Sequence, residues 1–344
     1  MTPLLAKQKC YQYEKTVSEQ KVKDQGVVYT PIDIVSYINE SLLSEWIKDN
    51  KNPPNVCDFS CGSGIFLVDA AEKIASLWNV SFDEAQKYIY GSDIDQEAIK
   101  VAQQVLPKAN IHVQDGFTVS LENIDIIVGN PPYVRIQNLD ESTRNVVKNF
   151  YWCEGDFDIY VSFLEKAFKS VDYFGFICPN GWLKNKSNKL MRDDIIKSQR
   201  LYELIDFQDV KVFPGFGTYT SIILINNKQN QQLTIKHRNI NNLATHKNYE
   251  NVTIDNFYTQ ESDNLFLEKI YKRKNFLYDL CDIKVGIATL YDKAYYLEDC
   301  KIIGNLVTLK DGTQIEKEIT RPCKKAGSIK KLKQNKLKER LVNF

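Results

Sequence analysis

Short, continuous apolar runs alternate along this chain with longer stretches in which apolar residues recur every three or four positions. That alternation predicts an α/β protein with helices covering a mostly parallel sheet. The clearest run is Ile126-Ile127-Val128, and unbroken apolarity of this kind marks a strand buried on both faces. Comparable runs predict strands at Val56-Cys57-Asp58 and at residues 88–95, 111–115, 174–179, 201–207 and 220–226. The last follows the one before it closely and is expected to run antiparallel to it. Helical spacing appears in Ile34, Val35, Ile38, Leu42 and Trp46, after Ile65, and again in Ile159, Phe163, Leu164, Ala167 and Phe168. Before the first of these helices, Thr30 suits an N-cap, Pro31 the first helical position and Asp33 the acid of a capping box.

The pattern changes further on. Residues 134–156 are polar and read as a loop or lid. Residues 226–275 are polar and rich in Asn, with a single short strand at 233–237. From 276 onward short strands are expected at 281–288, 294–297 and 301–309, with Asp311-Gly312 as a hairpin turn. The expected organisation is a domain over 1–240, a linker over 241–275 and a partial β-rich domain over 276–344. Residues 1–23 carry little signal beyond a helix that packs on the body.

Composition narrows the class. With 43% hydrophobic and 26% charged residues, the 344-residue chain has enough apolar material for a sizeable core. No apolar run approaches 18 residues and the first 15 lack a signal-peptide core, so a cytoplasmic protein is expected, with no membrane partner. The eight cysteines form no CxxC pair, and His112, His237 and His246 are scattered. Reduced thiols and no metal site are the expectation. The net charge of +1 is unevenly spread, since residues 301–344 hold twelve Lys/Arg against four Asp/Glu. A basic tail that includes Lys324 and Lys325 fits either a polyanion partner or a solvated helix.

Candidate chemistry gathers at the carboxyl ends of the predicted strands, where open α/β sheets bind ligands. Asp58-Phe59-Ser60-Cys61-Gly62-Ser63-Gly64 is a glycine-bearing turn between a strand and a helix. The third glycine of a dinucleotide fingerprint is missing, with Leu67 in its place, and there is no phosphate loop. The ligand is therefore expected to lack a pyrophosphate. Asp93 and Asp115 close the next two strands, where an acid accepts from ribose or amine donors. After Val128 and Gly129 comes Asn130-Pro131-Pro132-Tyr133. Its prolines fix an amide, a backbone carbonyl and an aromatic ring in place. An amide oxygen and a carbonyl can grip an exocyclic amine while the ring stacks on the base that carries it.

Taken in order, residues 26–31, Asp58 to Gly64 and Asn130 to Tyr133 resemble the N6-adenine DNA methyltransferases of restriction–modification systems. The resemblance is to the class whose cofactor motifs precede the Asn-Pro-Pro-Tyr motif and whose target-recognition domain follows. It implies a Rossmann-like S-adenosylmethionine-dependent methyltransferase core, with a seven-stranded mixed sheet and helices on both faces. It further implies that Thr30, Pro31, Asp58, Phe59, Ser60, Cys61, Gly62 and Gly64 hold the methionine end of S-adenosylmethionine. Asp93 and Ile94 would serve the ribose side, and Asp115, Gly116 and Phe163 the cofactor's adenine. Asn130, Pro131, Pro132 and Tyr133 would act on the target adenine, with Phe213 against its other face. The implied partner is double-stranded DNA, with a cognate restriction endonuclease or a separate specificity segment beside it.

The chain departs from the family where Leu290 stands in the turn formed by residues 286–291, at a position similar proteins fill with Gly. The recognition region also stops after roughly 65 to 70 residues, well short of what the resemblance implies for such a domain. Two other readings stay open: an enzyme methylating a release-factor glutamine or a ribosomal-RNA guanine, and a cofactor-binding restriction–modification subunit with little activity alone.

Overall fold

The computed structural model describes residues 1–17, 30–213, 217–254, 256–258, 301–308 and 314–316. The chain divides into two units, Met1–Glu268 and Lys269–Phe344.

In the first unit the helices are α1 (Pro3–Glu14), α2 (Ile32–Asp49), α3 (Ile65–Leu77), α4 (Phe82–Ala85), α5 (Gln96–Val105), α6 (Glu141–Val147), α7 (Tyr160–Ser170) and α8 (Lys189–Ser198). The strands are β1 (Val56–Asp58), β2 (Ile89–Asp93), β3 (Asn110–Val113), β4 (Ile126–Gly129), β5 (Tyr173–Pro179), β6 (Leu201–Asp206), β7 (Thr220–Ile225), β8 (Gln232–His237) and β9 (Thr245–Asn248). They form one sheet in the order β3-β2-β1-β4-β5-β7-β6-β8-β9. Strands β1 to β5 are mutually parallel, and β7 runs antiparallel to both β5 and β6. The expected mixed α/β sheet with helices on both faces is what the chain forms.

Side-chain alternation explains why β4 reads as unbroken apolar residues. Ile126 and Val128 join the core beneath α1, α2, α3 and α5, whereas Ile127 joins the core beneath α7 and α8. Strand β5 divides likewise, with Ile177 on the first side and Phe174 and Phe176 on the second. Each strand therefore needs apolar residues at every position, and the period-two signal of a half-exposed strand disappears.

Several expectations need correction. The sheet has nine strands, not seven: β8 pairs parallel with β6, and β9 pairs antiparallel with β8. Strand β9 falls inside the expected 241–275 linker, so the sheet extends past residue 240. Thr30 does not cap α2. The N-cap is Pro31, without a side-chain cap bond, and the first helical residue is Ile32. Strand β3 ends at Val113, which leaves Asp115 in the following turn. The expected loop over 134–156 contains α6, capped by Asp140 through Thr143 N at 3.0 Å.

In the second unit β10 (Lys301–Ile303), β11 (Leu306–Thr308) and β12 (Gln314–Glu316) form an antiparallel sheet. The strand expected over 301–309 is thus two strands joined at Gly304 and Asn305. The expectations placed on residues 26–29, 276–300, 311–312, Lys324 and Lys325 lie outside the described residues.

Candidate active site

The carboxyl ends of β1, β2 and β4, together with α1 and the loops after β3 and β4, enclose a cavity of about 300 Å³. That is the lower end of the range for small-molecule sites. From the Gly-rich turn and its entry, Asp58, Phe59, Ser60, Cys61 and Gly62 line it. So do Thr30, Asp93, Ile94, Asp115, Gly116, Asn130, Pro132 and Phe163. The turn and the Asn-Pro-Pro corner therefore share one space.

Local geometry sets each group. The backbone after β1 reverses at Gly64, which has φ +92° and sits where an added Cβ would lie 3.2 Å from the Ala102 Cβ of α5. A left-handed residue with no side chain lets the turn close against that helix. The Asp58 carboxylate is seated against Gly129 at the end of β4, where a Cβ would come within 2.8 Å of its Oδ1. Ser60 N donates to Asp58 Oδ1 at 3.0 Å. Gly62 N donates to Asp93 Oδ2 at 2.8 Å, and Asp95 N to Asp93 Oδ1 at 2.9 Å. Asp93 thereby ties the turn after β1 to the one after β2. Asp115 accepts from Phe117 N at 2.9 Å and shapes the turn after β3.

Thr30 is buried, and its hydroxyl accepts from Asn130 Nδ2 at 3.1 Å. That bond fixes the amide plane of Asn130, with Oδ1 as its acceptor end. The Thr30 carbonyl accepts from Tyr11 of α1 at 3.2 Å.

Electrostatically the cavity is one-sided. Glu14, Asp58, Asp93, Asp95, Asp115 and Asp140 line it, and among the described lining residues there is no Lys, Arg or His. Burial pushes Asp58 up to about 8, against the opposing hydrogen bond from Ser60 N. Burial also raises Asp93.

Five expected residues stand back from the cavity surface. Pro31 opens α2, Gly64 precedes α3 and Pro131 is buried behind the lining. Tyr133 lies between Phe213 and Tyr160, each 6.4 Å away centroid to centroid, at interplanar angles of 61° and 77°. Its hydroxyl donates to the Ile177 carbonyl at 3.3 Å, and Phe213 is only 2% exposed. Phe163 stacks on Phe59 at 5.2 Å and 5°.

Other residues were not legible as part of the site. Tyr13 and Glu14 reach the cavity from α1, whose sequence shows no amphipathic period. Tyr13 donates to Asp95 Oδ2 at 3.2 Å and Ser63 Oγ to Glu14 Oε1 at 2.9 Å. Lys166, one helical turn past Phe163, donates to the carbonyls of Gly116, Phe117 and Val119 at 2.6, 3.1 and 2.8 Å. It clamps the segment that follows Asp115. Spacing on α7 could have placed Lys166 on the same face as Phe163.

Comparison with known proteins gives a consistent picture. The family model for the Eco57I restriction-modification methylase matches residues 107–213, and that for the RMKL-like methyltransferase domain matches residues 45–151. The Type II methyltransferase M.BanIII of Aneurinibacillus aneurinilyticus is 25% identical over 352 residues, covering 82% of this chain and 60% of that protein. The Type II restriction enzyme and methyltransferase RM.Eco57I of Escherichia coli is 22% identical over 390 residues, covering 87% of this chain and 39% of that protein. The chain is similar in sequence to restriction–modification methyltransferases. Its fold matches a type I restriction-modification methyltransferase subunit from Streptococcus thermophilus with a TM-score of 0.50 at 14% identity, covering 73% of this chain and 55% of that one. The chain spans only 39% to 60% of the two methyltransferase relatives above. Among the described residues no helix is long and apolar enough to cross a membrane.

Proposed function

We propose that this chain is a DNA methyltransferase of a restriction–modification system, moving a methyl group from S-adenosylmethionine to N6 of a flipped-out adenine in duplex DNA. The observation that carries the reading is that Asn130 and the Gly62 turn line one acidic cavity. The lining suits this cofactor, because its sulfonium and ammonium are cationic and every charged group on the described wall is an acid.

When bound, S-adenosylmethionine supplies a methyl group already activated by the sulfonium. The protein's task is to position the amine and to oppose the charge that develops on it. Thr30 holds Nδ2 of Asn130, so that Asn130 Oδ1 and the Pro131 carbonyl accept from the exocyclic amine. These two acceptors pull its lone pair out of conjugation. No strong base is required before transfer, since the methylated amine is acidic and sheds its proton afterwards. Asp93 and Ile94 serve the ribose side, Asp115 accepts from the cofactor's amine, and Phe163, backed by Phe59, packs on its ring.

The target adenine needs an aromatic slot. Flipping it costs a few kcal/mol, and stacking returns about 1–3 kcal/mol per base. Tyr133 and Phe213 are the candidate walls. A base between them needs parallel rings about 7 Å apart, two ordinary contact distances. At 61° and 6.4 Å the pair is closed in this structure, so Phe213 must turn aside when a base enters.

The test is incubation with labelled cofactor and either unmethylated duplex DNA or ribosomes and release factor, followed by mapping of modified adenines. Label in ribosomes or release factor alone would refute the reading. A second reading, a cofactor-binding subunit that methylates little by itself, fits the closed Tyr133–Phe213 pair. It predicts cofactor binding without turnover until a partner is added.

A further inference from the structure

We propose that Glu14 of α1 is a cofactor-binding residue whose carboxylate pairs with the ammonium group of the ligand's amino-acid end. This rests on the reading of the cavity as an S-adenosylmethionine site and adds to it a contact from outside the recognised motifs.

Glu14 lines the cavity and is only 6% exposed. Its Oε1 accepts from Ser63 Oγ at 2.9 Å. Its Oε2 is equally buried and has no hydrogen-bond partner among the described residues. A carboxylate oxygen left in that state is costly, and some donor is expected to complete it. The protein does not offer one from the described wall, which carries no basic side chain. Lys7, the nearby cation of α1, is engaged with Asp69 at 2.6 Å and Glu72 at 2.5 Å. A cationic donor on the ligand would complete Oε2. An ammonium has three N–H donors, whereas a sulfonium has none and cannot bond to Oε2.

Position favours the same assignment. Ser63 stands between Gly62 and Gly64 in the turn proposed to wrap the amino-acid moiety, and Cys10 of α1 donates to the Ser63 carbonyl at 3.1 Å. Helix α1 thus seals that turn, with Glu14 facing the enclosed space. Burial raises the Glu14 carboxyl to about 7, and a bound cation would draw the proton off.

The test is titration calorimetry at pH 8 on the full chain and on Glu14→Gln, which keeps an oxygen to accept from Ser63. Three probes are used: S-adenosylmethionine, S-adenosylhomocysteine (ammonium but no sulfonium) and methylthioadenosine (neither). A charge-assisted hydrogen bond predicts that E14Q weakens the first two about 10- to 100-fold. Methylthioadenosine should bind both proteins alike. Unchanged binding of all three, loss for S-adenosylmethionine alone, or equal loss for all three would overturn the proposal. If the wild-type chain binds none of them, the cofactor reading itself fails. Should E14Q misfold by circular dichroism, Ser63→Ala, which removes only the hydroxyl steering Glu14, must give a smaller loss confined to the same two probes.

Discussion

Replacing Asp58 with Asn should stabilise the ligand-free protein at neutral pH while weakening cofactor binding. Asp58 is 2% exposed, and burial raises its carboxyl from 3.8 to about 8. Such a carboxyl holds its proton in the folded state at pH values where the unfolded chain has already lost it. Between those two values the folded protein binds more protons than the unfolded one, so stability falls as pH rises. The contribution is fully present below about pH 3.8 and lost progressively up to about pH 8. At pH 7 the protein has crossed roughly three pH units of that window, a loss on the order of 4 kcal/mol relative to acid pH. Asn carries no proton to lose and can still accept from Ser60 N, so the variant escapes the penalty. For a unit of this size the gain corresponds to a Tm rise of about 8 °C or more at pH 7. Differential scanning fluorimetry from pH 4 to pH 8 provides the assay. Wild-type Tm should decline across the range, and the variant's should decline less, with the gap widening toward pH 8. Parallel curves would show that Asp58 does not carry the effect.

Other outcomes follow from the same geometry. Asn130→Ala should lower single-turnover methyl transfer by about 10²–10³-fold, the scale for one lost donor or acceptor at a reacting centre. Cofactor affinity should stay within a few-fold, and a wild-type rate would remove Asn130 from the chemistry. Tyr133→Ala removes a ring wedged between Phe213 and Tyr160, so it should cost about 3–5 kcal/mol of stability as well as activity, read from urea unfolding. Lys166→Met keeps the aliphatic stem but loses three bonds to backbone carbonyls, and should speed hydrogen exchange at residues 115–119 and weaken cofactor binding. Unaltered exchange there would show that the clamp is unimportant.

The motifs were legible because rigid backbone chemistry writes itself into sequence. Proline pairs and glycine turns admit few substitutes, so Asn130 to Tyr133 and Asp58 to Gly64 could be read where they stand. Strands β4, β5 and β7 were legible for a related reason, since burial on both faces demands unbroken apolar residues. Strand β9 was not. Its residues Thr245 to Asn248 alternate between intermediate and exposed, and only hydrogen bonds to β8 make them a strand. Thr30 looks like a helix cap in the sequence because cap chemistry and side-chain hydrogen bonding use the same hydroxyl. Its actual partner, Asn130, lies 100 residues away. Glu14 and Tyr13 belong to the same class: contacts across such distances leave no periodic trace.

The sheet order also has a practical consequence. Strand β9 closes the edge six strand positions from β1, a separation of about 29 Å at the usual spacing between neighbours. The short length of the strand discourages other chains from adding to that edge. A cysteine introduced at position 246 would therefore offer an anchoring point for a fluorophore or a surface tether, far enough from the cavity to leave its lining untouched.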